Sequence, residues 1–247
     1  LRPRAPQHME LMLRRRLVGT DDGGRTVWHR REDRQLWEPD RTALLLCDVW
    51  DNHWCRGAVE RLDELLPRME QVVQAARSRG VYIIHAPSGT MDFYVDSAAR
   101  QRVFDTPSVE PPAEIEHLDP PLPIDASDEG SDTSGDTPSR AWSRQHPSIG
   151  IDEARDVISD CGGEVYSYLK QLSIDHLLIM GVHTNMCVLH RSFAIKQMVR
   201  WGVDVALVRD LTDTMYNPAM PPYISHEEGT RLVVEFIEKF WCPSIDS

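Results

Sequence analysis

Lysine is almost absent from this chain: its 247 residues hold only Lys170, Lys196 and Lys239, and the other basic side chains are arginines. The net charge is −12 and no basic stripe offsets it. Phosphate neutralisation supplies most nucleic-acid affinity, so nucleic acid is set aside as a partner. No apolar run approaches the ~20 residues of a membrane span, which excludes a membrane-spanning reading. The opening "LRPRAPQHMELMLRRRL" is too charged for the apolar segment of a signal peptide. A cytoplasmic location is expected, with export of a processed precursor left open because the chain starts at Leu1. Cysteines are few and odd in number (Cys47, Cys55, Cys161, Cys187, Cys242), which argues against a disulfide framework, and no C-x-x-C pair points to zinc.

What is present is 41% apolar residues arranged in a rhythm, enough for one large domain or one domain with an insertion. "ALLLCD" (43–48) is a short apolar run ending in an acid. A polar turn, "DNHWCRG", follows. Then Leu65, Met69, Val72, Val73 and Ala76 recur at helical spacing up to Gly80, and "VYIIHA" (81–86) is the next strand. These strands are apolar throughout rather than alternating, as in a parallel sheet covered on both faces. The rhythm returns in "HLLIMG" (176–181), in a helix with Val188, Ser192, Ile195 and Val199 on one face, in "VDVALVRD" (203–210), and in a closing helix through Leu232, Val233, Phe236 and Phe240. An α/β fold with right-handed crossovers is predicted. Between the halves, "PSVEPPAEIEHLDPPLPIDASDEGSDTSGDTPSR" is rich in Pro, Asp and Ser and reads as an insertion or lid. Its acidic part lacks the oxygen spacing of a calcium loop.

Ligands of an open parallel sheet bind at the carboxyl ends of its strands. Three ends are legible: Asp48, His85 and the turn "GVHTNMC" (181–187). Cys187 falls at the first turn of the following helix, where the dipole and free N–H groups favour a thiolate and lower a thiol pKa from about 8.5. It is therefore a candidate nucleophile, whereas Cys47, inside a strand, is not. Asp48 is the base nearest by topology, and consecutive N–H groups of a tight turn can receive a developing oxyanion. An inert core cysteine beside a satisfied core aspartate remains the alternative reading of the same residues.

G-V-x-T-N-x-C-V after a strand, together with the Asp closing the first strand in "LLLCDVWDNHWC", resembles the isochorismatase-like cysteine hydrolases, which include nicotinamidase and several small-amide hydrolases. The resemblance covers about residues 40 to 241. It implies a three-layer α-β-α fold with a six-stranded parallel sheet: residues 1–39 are an N-terminal extension, and 40–247 a hydrolase domain with the insertion at about 105–147. It also implies an Asp, Lys, Cys triad, with Asp48 as base and Cys187 as nucleophile. The family's cis peptide falls at Val182-His183, so the N–H groups of His183 and Cys187 form the oxyanion hole.

The lysine of that triad is missing. Its column lies near Asp160 or Cys161, and Lys170, in "SYLKQL", reads as a surface residue. Arg144 in "AWSRQHPSI" is the expected stand-in; it can hold both partners by charge but cannot give up a proton. His53, His85, His183 and His146 lie near the same edge, where one could shuttle protons. Three histidines with Asp51 could instead bind zinc or iron. The nicotinamidase-type Asp-x-His after the second strand is absent, however, so neither metal nor cofactor is expected. Trp50, His53, Trp54, His85, Thr184 and Asn185 are expected to line the substrate pocket, with Tyr94 nearby. The function expected is cleavage of a C–N bond in a small amide, imide or ureido compound through a thioester, by a homo-oligomer. The alternative is a non-hydrolytic binding or scaffolding protein that lost turnover with its lysine.

Overall fold

Thr42–Cys47 offers no polar face, since all six residues are buried. Such a run is stable only as a central strand with helices above and below. In the computed structural model of the chain, which describes residues 8–247, this strand is β3. Its neighbours β4 (Tyr82–Ala86) and β6 (His176–Val182) are parallel to it, with Cys47 level with both Ala86 and Gly181. Beyond them lie β5 (Val157–Ile158) on one side and β7 (Asp204–Asp213) and β8 (Ser244–Ile245) on the other, all parallel.

The sheet is larger than the expected six strands. It has eight, in the order β2-β1-β8-β7-β6-β3-β4-β5. The two additional strands, β1 (Met9–Thr20) and β2 (Thr26–Trp37), form an antiparallel hairpin that joins the sheet through Arg14 opposite Ser244. The stretch read as an N-terminal extension thus continues the sheet. Met9, Leu11 and Leu13 fall at alternate positions before the turn signal "TDDGG", but apolar Met12 interrupts the polar face, and farther along both strands arginines and acids crowd out the alternation.

Helix α1 (Arg56–Arg79) covers one face, burying Leu62, Leu66, Met69 and Val73 with Leu44, Leu46, Met9, Leu13 and Trp37. It ends at Gly80 in the left-handed conformation at φ 96°. On the other face lie α3 (Gly162–Gln171), α5 (Ile195–Arg200) and α6 (His226–Phe240), and α2 (Ala98–Phe104) packs beside β5. Residues 105–147, all described, contain no helix and only the isolated bridge between Trp50 and Gln145. They are fastened at the C-terminal end of α5 by Ile115 N–H to the Arg200 carbonyl, and over the carboxyl edge by Asp125 N–H to the Pro221 carbonyl and the Arg61–Asp132 ion pair.

The long helix expected after Cys187 is broken. α4 (Cys187–His190) ends after four residues, Arg191 turns extended at φ −60°, ψ 149°, and α5 starts at Ile195. The N-terminus of α3 occupies the space of the break: Gly162 donates to Ser192 Oγ at 2.9 Å, and a Cβ on Gly162 would lie 2.0 Å from the Ser192 carbonyl oxygen.

Gly181 occupies the tightest place in the sheet. Its φ is +123°, and a Cβ there would stand 2.1 Å from the carbonyl oxygen of Cys47. Gly181→Ala combines a backbone conformation closed to L side chains with a collision against main chain. We expect it to cost about 3 kcal/mol or more, read as a lowered urea midpoint at unchanged slope.

Candidate active site

β3 and β6 end side by side, and the chain leaves each in an unusual conformation. Asp48 has φ +49°, and the Val182–His183 peptide is cis, at the position where the family resemblance places one. The turn after β6 is held by side chains. Asn185 donates to the Met215 carbonyl and accepts from the Met215 N–H, both at 2.9 Å, and Thr184 Oγ1 meets Thr212 Oγ1 at 2.6 Å. Thr184 thus ties the turn to the end of β7 and Asn185 ties it to the segment after β7, while Asn185 also lines the cavity onto which Cys187 opens. The N–H groups of Met186 and Val188 both donate to the His183 carbonyl.

Asp48 is fully buried. Its Oδ1 accepts from Ser88 N–H at 2.7 Å and its Oδ2 from Arg191 Nε at 2.9 Å, and the Cys187 thiol is hydrogen-bonded to the same carboxylate. Burial raises the Asp48 carboxyl above its ordinary value, against the pull of Arg191, Cys187 and Ser88. Burial also pushes the Cys187 thiol up, to about 12, with the Asp48 carboxylate adding to the effect and Arg191 opposing it. The expected depression of this thiol is corrected: α4 is only four residues long, and its dipole does not outweigh desolvation and a carboxylate in contact. The resting thiol is neutral and lies beside a carboxyl held by the Ser88 N–H and the Arg191 guanidinium. Although burial works to lower it, the Arg191 guanidinium is held above its ordinary value by Asp48, and it lies 5.9 Å from the Trp50 ring.

The cation on Asp48 is thus Arg191 and not Arg144. The Arg144 guanidinium lies over the Phe93 ring at 5.3 Å, while its main chain exchanges hydrogen bonds with Asp51. Lys170 sits over the Tyr166 ring, and Asp160 accepts from Gly89 N–H, so neither supplies a charge to Asp48. Arg191 is four residues beyond Cys187, a spacing that puts both on one side of a helical turn, which is the signal that could have found it.

The expected pocket residues divide. Trp50 donates from its indole N–H to the Ser88 carbonyl and stacks on Trp142 at 4.1 Å. His53 and His183 meet edge to face at 4.9 Å beside them; burial lowers His53 to about 4 and His183 to about 3, so both rings are neutral. Trp54 packs with Cys55, Ala58 and Met215. His85 faces away from the site, between Gln145 Oε1 at 2.9 Å and Asp156 Oδ2 at 3.0 Å. Asp156 is also held by Arg77, and Gln145 N–H donates to Tyr94 Oη, so this is a framing network. Asp51 accepts from Ser143, and His146 accepts from Ser148 N–H. Among the described residues, no three His, Cys, Asp or Glu side chains are grouped to hold a metal.

Cys187 and Arg191 open onto a cavity of about 590 Å³ whose far wall, Leu122, Ile124 and Ala126, comes from the insertion. No motif or spacing marked these three as pocket residues. Among the described residues, no helix is long and apolar enough to cross a membrane.

A thiol at about 12 is a poor nucleophile toward free alkylating agents at neutral pH. Iodoacetamide at pH 7.5 should label exposed Cys161 ahead of Cys187, with peptide mass spectrometry giving the order. Labelling of Cys187 first would show a preformed thiolate.

No family model matches the chain, and no curated protein does. Solved structures do. A cysteine hydrolase from Pseudomonas syringae pv. phaseolicola 1448A superposes with a TM-score of 0.50 at 16% identity, over 84% of this chain and 89% of that one. An isochorismatase from Pseudomonas putida KT2440 gives 0.51 at 14% identity, over the same shares. From β3 to the closing helix, with Asp48 and Cys187 on adjacent strand ends, the chain has the fold of the isochorismatase-like cysteine hydrolases.

Proposed function

We propose that the protein is a cysteine hydrolase that cleaves a C–N bond of a small amide, imide or ureido compound through a thioester. The observation that carries this reading is the contact of one buried carboxylate, Asp48, with both the Cys187 thiol and the Arg191 guanidinium at the mouth of a cavity. The name of one superposable protein, a cysteine hydrolase, agrees with the hydrolase part of this reading.

As Sγ of Cys187 attacks the carbonyl carbon, the thiol proton passes to Asp48 and the carbonyl electron pair moves onto oxygen. The N–H groups of His183 and Cys187 receive that oxyanion. Collapse breaks the C–N bond, and Asp48 returns the proton to the departing nitrogen. Water then attacks the thioester, giving a proton to Asp48, and when the C–S bond breaks the sulfur takes that proton back. Asp48 both accepts and donates, because Arg191 keeps its charge throughout. The guanidinium holds Asp48 ionised in its buried site until the proton arrives.

The active form needs Asp48 ionised, and its carboxyl is raised, so turnover should climb with pH along an acid limb above the ordinary carboxylate range. It should then stay level as far as the thiol near 12 allows. Ammonia release over a panel of small amides, imides and ureido compounds should disappear in Cys187→Ala. Arg191→Ala should lower turnover ~100-fold, the scale of one electrostatic partner, and move the acid limb to higher pH. Arg191→Lys should keep part of the rate, and Arg144→Ala should change neither. An unmoved acid limb in Arg191→Ala would remove the assigned role. Binding without turnover across the panel would favour the non-hydrolytic reading.

A further inference from the structure

The β1–β2 hairpin leaves the sheet with an open edge. Among the described residues β2 pairs only with β1, along an uninterrupted register from Thr20–Thr26 to Met9–Trp37. Nine of its twelve residues are exposed, including Trp28 and Leu36. A strand of this length with free N–H and C=O groups is a template for another strand. At the hairpin turn Asp21 N–H donates to the Arg25 carbonyl. Because paired and unpaired positions alternate along an antiparallel ladder, odd-numbered residues of β2 bond to β1 and even-numbered ones aim their main-chain groups outward.

We propose that β2 pairs with β2 of a second copy, antiparallel about a two-fold axis perpendicular to the sheet at Arg31. That symmetry preserves the two faces of the sheet, so each residue must oppose one of the same parity. Three registers place the axis near the middle of the strand. Centred on Arg30, the strand sets Glu32 against Trp28. Centred on Glu32, it sets Arg30 against Arg34 and Glu32 against itself. Centred on Arg31, it sets Arg30 against Glu32, His29 against Asp33 and Trp28 against Arg34, each pair occurring twice by symmetry. The two Arg31 side chains meet at the axis, each already bonded to Asp33 of its own chain at 2.9 Å. The central register is thus the charge-complementary one, and the even-numbered pairs in it exchange the outward main-chain hydrogen bonds. Two eight-stranded sheets become one continuous sheet of about sixteen strands, with both candidate sites distant from the seam.

Sedimentation velocity on the full chain should find a dimer that weakens with salt. Glu32→Pro removes an outward N–H and no bond to β1, so it should give a folded monomer, with circular dichroism and thermal unfolding reporting the fold. Asp33→Arg should weaken the dimer about tenfold, since it removes the carboxylate opposite His29 twice over and leaves the two Arg31 side chains at the axis without their Asp33 partners. Adding His29→Asp in the same chain should restore it. A chain monomeric at every accessible concentration would overturn the proposal, as would a dimer indifferent to Glu32→Pro. Failure of His29→Asp to rescue Asp33→Arg would overturn the register.

Discussion

The close approach of two main chains, Cys47 in β3 and Gly181 in β6, is the constraint from which the site follows. With no side chain at Gly181, the strands can end level with each other, and the turns after them then start from one point. Asp48 leaves the first strand with a positive φ, and the chain reaches Cys187 six residues after Gly181. A carboxylate and a thiol from sequence positions 139 apart become hydrogen-bonding partners without any adjustment of the sheet. The register shift of β6 against β7 between Ile179 and Gly181 belongs to the same local geometry.

The second condition is electrical. A carboxylate with no exposed surface needs compensation, and here it comes from one guanidinium, one main-chain N–H and one thiol. The guanidinium is available because the helix beginning at Cys187 stops after a single turn, which frees Arg191 to reach back. That break is held by Gly162 against Ser192, outside the site altogether.

The central strands and their order of alternation with helices were legible because strands buried on both faces are apolar at every position, as in Thr42–Cys47 and Leu177–Val182. Asp48 and Cys187 were legible by residue type at strand ends. The hairpin was not, since strands exposed over most of their length give little hydrophobic period. Nor was Arg191: the spacing of Val188, Ser192, Ile195 and Val199 is truly helical, and only the tertiary contact with α3 interrupts it. His85 shows the opposite failure. Its place at the end of β4 suggested the site, but side chains alternate along a strand, and the ring points to Gln145 and Asp156 instead. The insertion disguised itself as solvent-facing chain, because its few apolar residues, Leu122 and Ile124 among them, are scattered between prolines and acids.

That insertion divides the molecule into a part that sets geometry and a part that sets shape. Asp48, Cys187 and Arg191 stand on strand and helix ends, where a displacement of one ångström would disturb the packed core on both faces of the sheet. The opposite wall, Leu122 to Ala126, hangs between fastenings at Asp119, Asp125, Asp128 and Asp132. The entropy of closing a surface loop grows only with the logarithm of its length, so a doubling costs about 0.6 kcal/mol. Residues between those fastenings can therefore be exchanged, shortened or extended at small thermodynamic cost. The cavity can be recast for a different guest while the reacting groups keep their positions.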